Sequence, residues 1–176
     1  MLKVPISSAN REYGNALISK YKILETETFK VLAPVGSERR QNENLYYEDR
    51  AVLRSVIDVN GVKISVYVTH FGLNLLEQER MVNTLLNCFE KETYPHVLIG
   101  DFNVEPTNAV LKPIFNKMQS VAKLLNNEQK TFSTYNEESQ IDYVFISKEF
   151  TAKEYKRIES NVSDHYPCYA ELILNV

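Results

Sequence analysis

Cysteine is scarce in this chain, and so are glycine and proline: two, five and six residues among 176. Cys88 and Cys168 are far apart and show no CxxC or other thiolate metal-ligand spacing. Few glycines and prolines, beside 44% hydrophobic and 24% charged residues, exclude a fibrous or disordered chain. No apolar run approaches the ~20 residues of a membrane span. The opening MLKVPISSANREYG lacks the apolar core of a signal peptide. A soluble, cytoplasmic, reducing setting is expected, in which the sequon-like Asn161-Val162-Ser163 has no chemical meaning. Charge is nearly balanced at a formal −3, so bulk electrostatics do not draw the chain to nucleic acid or to an anionic membrane. A nucleic-acid substrate would need a local basic groove. The absence of a glycine-rich phosphate loop argues against a nucleoside-triphosphate machine. There is no repeat, low-complexity tract or linker. The length suits one domain with a real core and is too short for two, so residues 1–176 are expected to form a single unit.

What is present is alternation. NALISKYKILETETFKVL (15–32) reads as one or two strands, and APVGSERRQNENLYYED (33–49) as a polar loop. RAVLRSVIDV, the turn Asn60-Gly61 and VKISVYV predict a hairpin. A helix follows. Asn74 suits its N-cap and Glu77 the capping-box position, while Leu75, Leu76, Val82, Leu85, Leu86 and Phe89 share one face. Lys91 suits its C-terminal end and Pro95 stops it. HVLIG is the next strand, so strand, helix and strand form a βαβ unit with parallel strands. Short helices are expected over 107–126 near Pro106 and Pro113. A loop, TFSTYNEESQ (131–140), then leads to the strand IDYVFIS, a charged stretch ending ESNVSDHYP, and the strand CYAELILNV. In that strand Cys168 alternates with Ala170 and Leu172, which predicts a buried thiol.

Parallel strands bring their carboxyl ends to one edge, where α/β folds bind ligands. His70, Asp101 and Asn103 therefore converge there. Asp101 and Asn103 point the same way if the extended backbone persists. Asp142 opens its strand, and Asp164 and His165 precede the last one. That strand must run oppositely to reach the same edge, making the sheet mixed. Blander readings stand beside these. Asp101 and Asn103 also suit a turn that caps the strand, Asp164-His165 a solvated loop, and His70 a satisfied strand-end histidine. Arg50 also suits an exposed strand start, Glu137-Glu138 a solvated loop, and His96, at the opposite edge, a structural role. Together, acids, an amide and two histidines at strand ends are what hydrolysis of a phosphate ester needs. A histidine held by a carboxylate can take a proton from water near neutral pH. An amide and an imidazole can stabilise charge on phosphoryl oxygens. Carboxylates with few thiols suit Mg²⁺ or Mn²⁺.

The segments YGNALISKY, VTHFGL, LIGDFN, IDYVFIS and SDHYP occur in the order found in the endonuclease/exonuclease/phosphatase superfamily. From about Tyr13 onward the chain resembles that group, which includes pancreatic-type deoxyribonucleases, abasic-site endonucleases, sphingomyelinases and inositol-polyphosphate phosphatases. The resemblance implies a two-sheet α/β sandwich with mixed sheets and outer helices. It implies a metal-dependent phosphoesterase using Mg²⁺ or Mn²⁺, acting on a phosphodiester or phosphomonoester by direct water attack. Residue by residue, His165 resembles the histidine that contacts the scissile phosphate or acts as base, with Asp142 orienting it. Asp101 resembles the acid that positions or deprotonates the attacking water. Asn103 resembles its amide partner at the phosphate, and His70 a second phosphate-contacting histidine. Asp164 and Asp101 resemble metal ligands, and Arg50 a phosphate-contacting arginine.

One departure stands out. The family domain begins with a strand ending in asparagine and a second ending in Gln-Glu, whose glutamate is the principal metal ligand. Asn10 and Glu12 lack that context, so an N-terminally truncated, partial domain is expected. Its sheet would lose strands, with the gap covered by self-association, strand exchange or a partner chain. Asp164 and Asp101 alone would hold metal poorly. The alternative is therefore a catalytically impaired fragment or a non-catalytic module binding phosphorylated ligands or a protein. The bland alternative is a soluble scaffold. Loops 33–49 and 131–140 carry no decisive signature for a nucleic acid, lipid or small-molecule substrate. The acidic balance favours a small or lipid phosphate, while Lys112, Lys117, Lys123 and Lys130 could line a groove.

Overall fold

Alternating runs build most of the sheet that the sequence predicts. The structure, a computed structural model, describes residues 4–6, 11–40, 46–136 and 138–175. Strands β1 (Val4–Ile6) and β2 (Arg11–Tyr13) pair antiparallel with each other. Strand β3 covers Lys22–Val31, so residues 15–21 are not part of it. The expected hairpin is β4 (Arg50–Val59) and β5 (Val62–His70), antiparallel around Asn60 and Gly61. Both turn residues have positive φ, 55° and 91°, which is why asparagine and glycine stand there.

Helix α1 (Leu75–Lys91) starts at Asn74, whose backbone N–H donates to Glu77 at 3.2 Å. Its buried face is Gln78, Met81, Val82, Leu85 and Cys88; Leu75, expected on that face, is exposed. Strand β6 (His96–Asp101) runs parallel to β5, as the βαβ reading requires. After a 3₁₀ turn come α2 (Lys112–Lys117), β7 (Gln119–Ser120) and α3 (Val121–Leu124). Then follow β8 (Asp142–Ile146), β9 (Phe150–Arg157) and β10 (Cys168–Leu174).

Six strands form one mixed sheet in the order β3-β4-β5-β6-β8-β7. The antiparallel strand beside β6 is β8, and the last strand, expected to make this sheet mixed, is not part of it. The last strand, β10, pairs antiparallel with β9 in a second, two-stranded sheet. Strand β9 itself falls in the charged stretch that the sequence left unassigned. Its inward residues are Phe150, Ala152 and Tyr155, and a register shift at Glu171/Leu172 breaks the alternation. That bulge hides the strand from a period-two reading.

The layers follow. Helix α1 covers one face of the large sheet, burying Tyr67, Leu98, Phe102 and Phe145 with Met81 and Leu85. Full burial of such side chains contributes about 1.5–3 kcal/mol each, so this face rather than helix propensity holds α1 in place. The β9–β10 pair packs on the other face against Ile64, Val144 and Ile146. Cys168 is half-buried there, less enclosed than expected, with the Tyr155 hydroxyl 3.3 Å from its Sγ. Among the described residues no helix is long and apolar enough to cross a membrane.

Candidate active site

Strand register sets the site. His70 lies opposite Asp101 across β5–β6, and Asp101 lies opposite Asp142 across β6–β8. Three titratable residues thus stand in a row at one edge. Gly100 makes the approach possible. A Cβ there would meet the Thr69 carbonyl oxygen at 2.0 Å, and its φ of 151° is one that side chains rarely adopt. Beyond Asp101, the buried Phe102 packs on Phe71 with ring centres 4.5 Å apart, anchoring the chain as it leaves the strand.

His70 Nε2 lies 3.3 Å from Asp101 Oδ2, and His165 Nε2 lies 3.9 Å from the same oxygen. His165 Nδ1 is 2.8 Å from Asp142 Oδ2. The hydrogen bond to Asp142 holds the His165 imidazole above its ordinary pKa. Burial opposes the shift, and the charges of Asp142, Asp101 and Asp164 add to it. Phe132 flanks the ring at 4.9 Å.

Two loops present His165. Tyr166 N–H donates to Thr131 O at 2.8 Å and Thr134 N–H to Asp164 O at 3.0 Å. The buried Thr131 hydroxyl accepts from Ile141 N–H and Asp142 N–H at 3.1 and 3.0 Å, fixing the start of β8. Asp101, Asp142 and His165 line a cleft of about 420 Å³ whose floor includes Val68, Ile99 and Val144.

Other expected residues are placed differently. The extended backbone does not persist past Asp101: Asn103 has φ 51°, and its N–H donates to Asp101 Oδ1 at 2.8 Å. That is a side-chain-closed turn, of the kind Asp and Asn favour. The Asn103 side-chain amide donates to Phe71 O at 2.9 Å, tying the ends of the two parallel strands. Arg50 is buried, with its guanidinium 2.7 Å from Glu48 and 2.9 Å from the Tyr13 hydroxyl. It is neither an exposed strand start nor turned outward. Asp164 is exposed, and its carboxylate accepts from the Ser163 hydroxyl at 3.3 Å. His96 stacks on Phe89 with ring centres 5.2 Å apart, its Nδ1 3.0 Å from Tyr94 O, as a structural residue would. Asn10, Glu137 and the Glu12 side chain lie outside the described residues.

Tyr13 and Asn15 carry weight that the sequence reading missed. The Tyr13 hydroxyl is hydrogen-bonded to His70 Nδ1. The Asn15 side chain donates to Ala51 O at 2.8 Å and Val68 O at 3.3 Å, bridging β4 and β5. Both lie inside YGNALISKY, but nothing in spacing marks either as a partner of residues 50 and 70.

A hard divalent cation needs several oxygens converging on one point. Asp101 Oδ1 already accepts from Asn103 N–H, and its Oδ2 faces two imidazoles. Among the described residues no three His, Cys, Asp or Glu side chains converge as a metal cage. The described residues alone therefore do not fit the implied Mg²⁺ or Mn²⁺. What they do form is an imidazole held by one carboxylate and facing another.

A model of the Endonuclease/Exonuclease/phosphatase family matches residues 4–165. The chain belongs to this family. Solved structures with the same fold include a mannosyl-6-phosphatase of Bacteroides thetaiotaomicron VPI-5482. It is 18% identical with TM-score 0.72, covering 88% of this chain and 68% of its own. The human Nocturnin catalytic domain with bound sulfate anion is 17% identical with TM-score 0.63, covering 88% of this chain and 60% of its own. D. rerio TDP2 complexed with single strand DNA product is 16% identical with TM-score 0.67, covering 86% and 68%. At these identities the likeness is one of fold, and the chain spans about two thirds of their lengths or less. No curated protein sequence matches it. The edge site joins His70 and Asp101, at the carboxyl ends of β5 and β6, to Asp142 at the start of β8 and His165 in the loop before β10.

Proposed function

We propose that this chain hydrolyses phosphate esters by direct attack of water, with His165 and Asp101 moving the proton. The observation that carries the reading is the convergence of His70 and His165 on Asp101 Oδ2, with Asp142 behind His165. That a phosphatase, a sulfate-bound enzyme domain and a DNA-bound protein share the fold supports a phosphoester substrate.

The roles follow from donor and acceptor chemistry. Asp142 orients His165 and stabilises the imidazolium formed when Nε2 takes a proton from water. Asp101 positions that water between the two rings. The new P–O bond forms as the ester P–O bond breaks, and the leaving oxygen takes a proton from the site or from solvent. His70 is placed to stabilise charge developing on a phosphoryl oxygen. Asn103 acts by holding Asp101 and the Phe71 loop, and Arg50 acts through Tyr13. A Mg²⁺ or Mn²⁺ ion, if used, would supply charge neutralisation and would need ligands beyond Asp101 and Asp164.

The poor fit to metal among the described residues favours one second reading, a module that binds phosphorylated ligands without turnover. Hydrolysis of chromogenic phosphodiesters and phosphomonoesters, with Mg²⁺ or Mn²⁺ against chelator, separates the two. We expect turnover that falls at least about 10²-fold in His165→Ala and in Asp101→Ala. Turnover equal in both variants and the parent would sink the catalytic assignment. Phosphate binding without turnover would establish the second reading.

A further inference from the structure

Arg50 stands at the head of a chain of donors. Its guanidinium has N–H groups and no acceptor. Glu48 holds Nη2 at 2.7 Å, leaving Nη1 to donate to the Tyr13 hydroxyl at 2.9 Å. Glu48 is itself fixed, its backbone N–H donating to Glu77 of helix α1 at 3.0 Å. A tyrosine hydroxyl has one proton to give. Facing a neighbour that can only donate, Tyr13 directs that proton to its other partner, His70 Nδ1.

The far side of the ring agrees. His70 Nε2 faces Asp101 Oδ2 at 3.3 Å, and a carboxylate can only accept. With a donor at Nδ1 and an acceptor at Nε2, a neutral ring has one consistent arrangement. The order differs at His165, where the Asp142 carboxylate sits at Nδ1 and Asp101 Oδ2, 3.9 Å from Nε2, is beyond hydrogen-bond distance.

We propose that Arg50 and Tyr13 are positioning residues that fix His70 as its Nε2–H tautomer, so that two imidazoles meeting at Asp101 carry opposite roles. His70 then donates from Nε2, while His165 donates from Nδ1 to Asp142. A charged group at the head strengthens each following bond in a poorly solvated chain. The consequence for rate rests on the phosphoesterase reading; the tautomer does not.

The experiment reads tautomers directly. Protein labelled with ¹⁵N in its histidine rings is examined by long-range ¹⁵N–¹H correlation, which reports which ring nitrogen carries hydrogen. There are three histidines to resolve, and His96→Gln and His165→Ala assign the signals. In the unaltered protein His70 should show a protonated Nε2 and a bare, hydrogen-bonded Nδ1. Tyr13→Phe should shift His70 toward a mixture of tautomers while leaving His96 unchanged. Arg50→Lys, still donor-only, should keep the pattern. Arg50→Gln, whose carbonyl can accept, should disturb it. In the phosphodiester assay Tyr13→Phe should lower kcat roughly tenfold, the worth of about one hydrogen bond, with KM little changed. A His70 carrying its hydrogen on Nδ1, a doubly protonated ring, or signals unmoved by Tyr13→Phe would each overturn the proposal. An Nε2–H tautomer in a protein without phosphoesterase activity would instead leave the tautomer standing and defeat the catalytic reading.

Discussion

Replacing Gly100 with alanine isolates the contact that brings His70 to Asp101. The added Cβ would lie 2.0 Å from the Thr69 oxygen, 2.9 Å from its carbonyl carbon and 3.1 Å from its nitrogen, all backbone atoms. Carbon and oxygen in weakly attractive contact stand about 3.3–3.6 Å apart, so β5 and β6 must part by more than about 1 Å here. Overpacking of this kind costs about 1–3 kcal/mol, and a side chain forced into a Gly-favoured backbone region costs a further 1–3 or so. The expected loss is on the order of 4 kcal/mol, or roughly 8–16 °C in Tm for a chain of this size. Two other glycines separate the contributions. Gly61→Ala adds a Cβ in open space at φ 91°, so it should cost only about 1–2 kcal/mol. Gly36→Ala meets nothing within 4 Å and has an ordinary backbone, so it should be neutral or slightly stabilising. Thermal and urea unfolding followed by circular dichroism measure all three. If Gly100→Ala costs no more than Gly61→Ala, the close approach of the two strands is not what requires glycine.

Burial opposes ionisation of Glu92, yet hydrogen bonds from Arg54, Tyr67 and the Tyr94 backbone hold its carboxyl at about 2. Stability from this group is present above the ordinary glutamate range and lost as pH falls from about 4.5 toward 2, on the order of 3 kcal/mol. Glu92→Gln should flatten urea-unfolding stability across that window while lowering it at neutral pH. His165 works in the other direction. Its raised pKa contributes stability below about pH 6.5, lost as pH rises through the folded-state value. In Asp142→Asn this decline above pH 6.5 should vanish from a plot of Tm against pH. Burial pushes the Cys88 thiol up to about 11. A chromogenic thiol reagent at pH 8 should therefore react with it only after unfolding.

Much of the scaffold is legible along the chain because the signals are local. Asn60-Gly61 marks a turn whose two residues take φ 55° and 91°. Asn74 and Glu77 mark the start of α1, and the strand–helix–strand order leads to the parallel pairing of β5 and β6. His70, Asp101, Asp142 and His165 were nameable because each sits at a strand end or just before a strand. Strand β9 was not legible, since its bulge shifts the inward residues and much of the remainder is charged. The place of β10 was misread because nothing in its own residues says which sheet it joins. Asn103 was read as pointing with Asp101, but one left-handed residue turned it to Phe71 instead.

The sequence by itself determined the hairpin, the βαβ unit, the edge at which polar residues gather, and the family motifs. These depend on neighbours a few residues apart, where backbone sterics and side-chain period act directly. Only the tertiary structure decided the register that sets His70, Asp101 and Asp142 in a row. It also decided the burial of Arg50 and the contact of Tyr13 with a histidine 57 residues away. Such pairings depend on strand order and on loops closing over a shared core, and no local pattern in the chain encodes them.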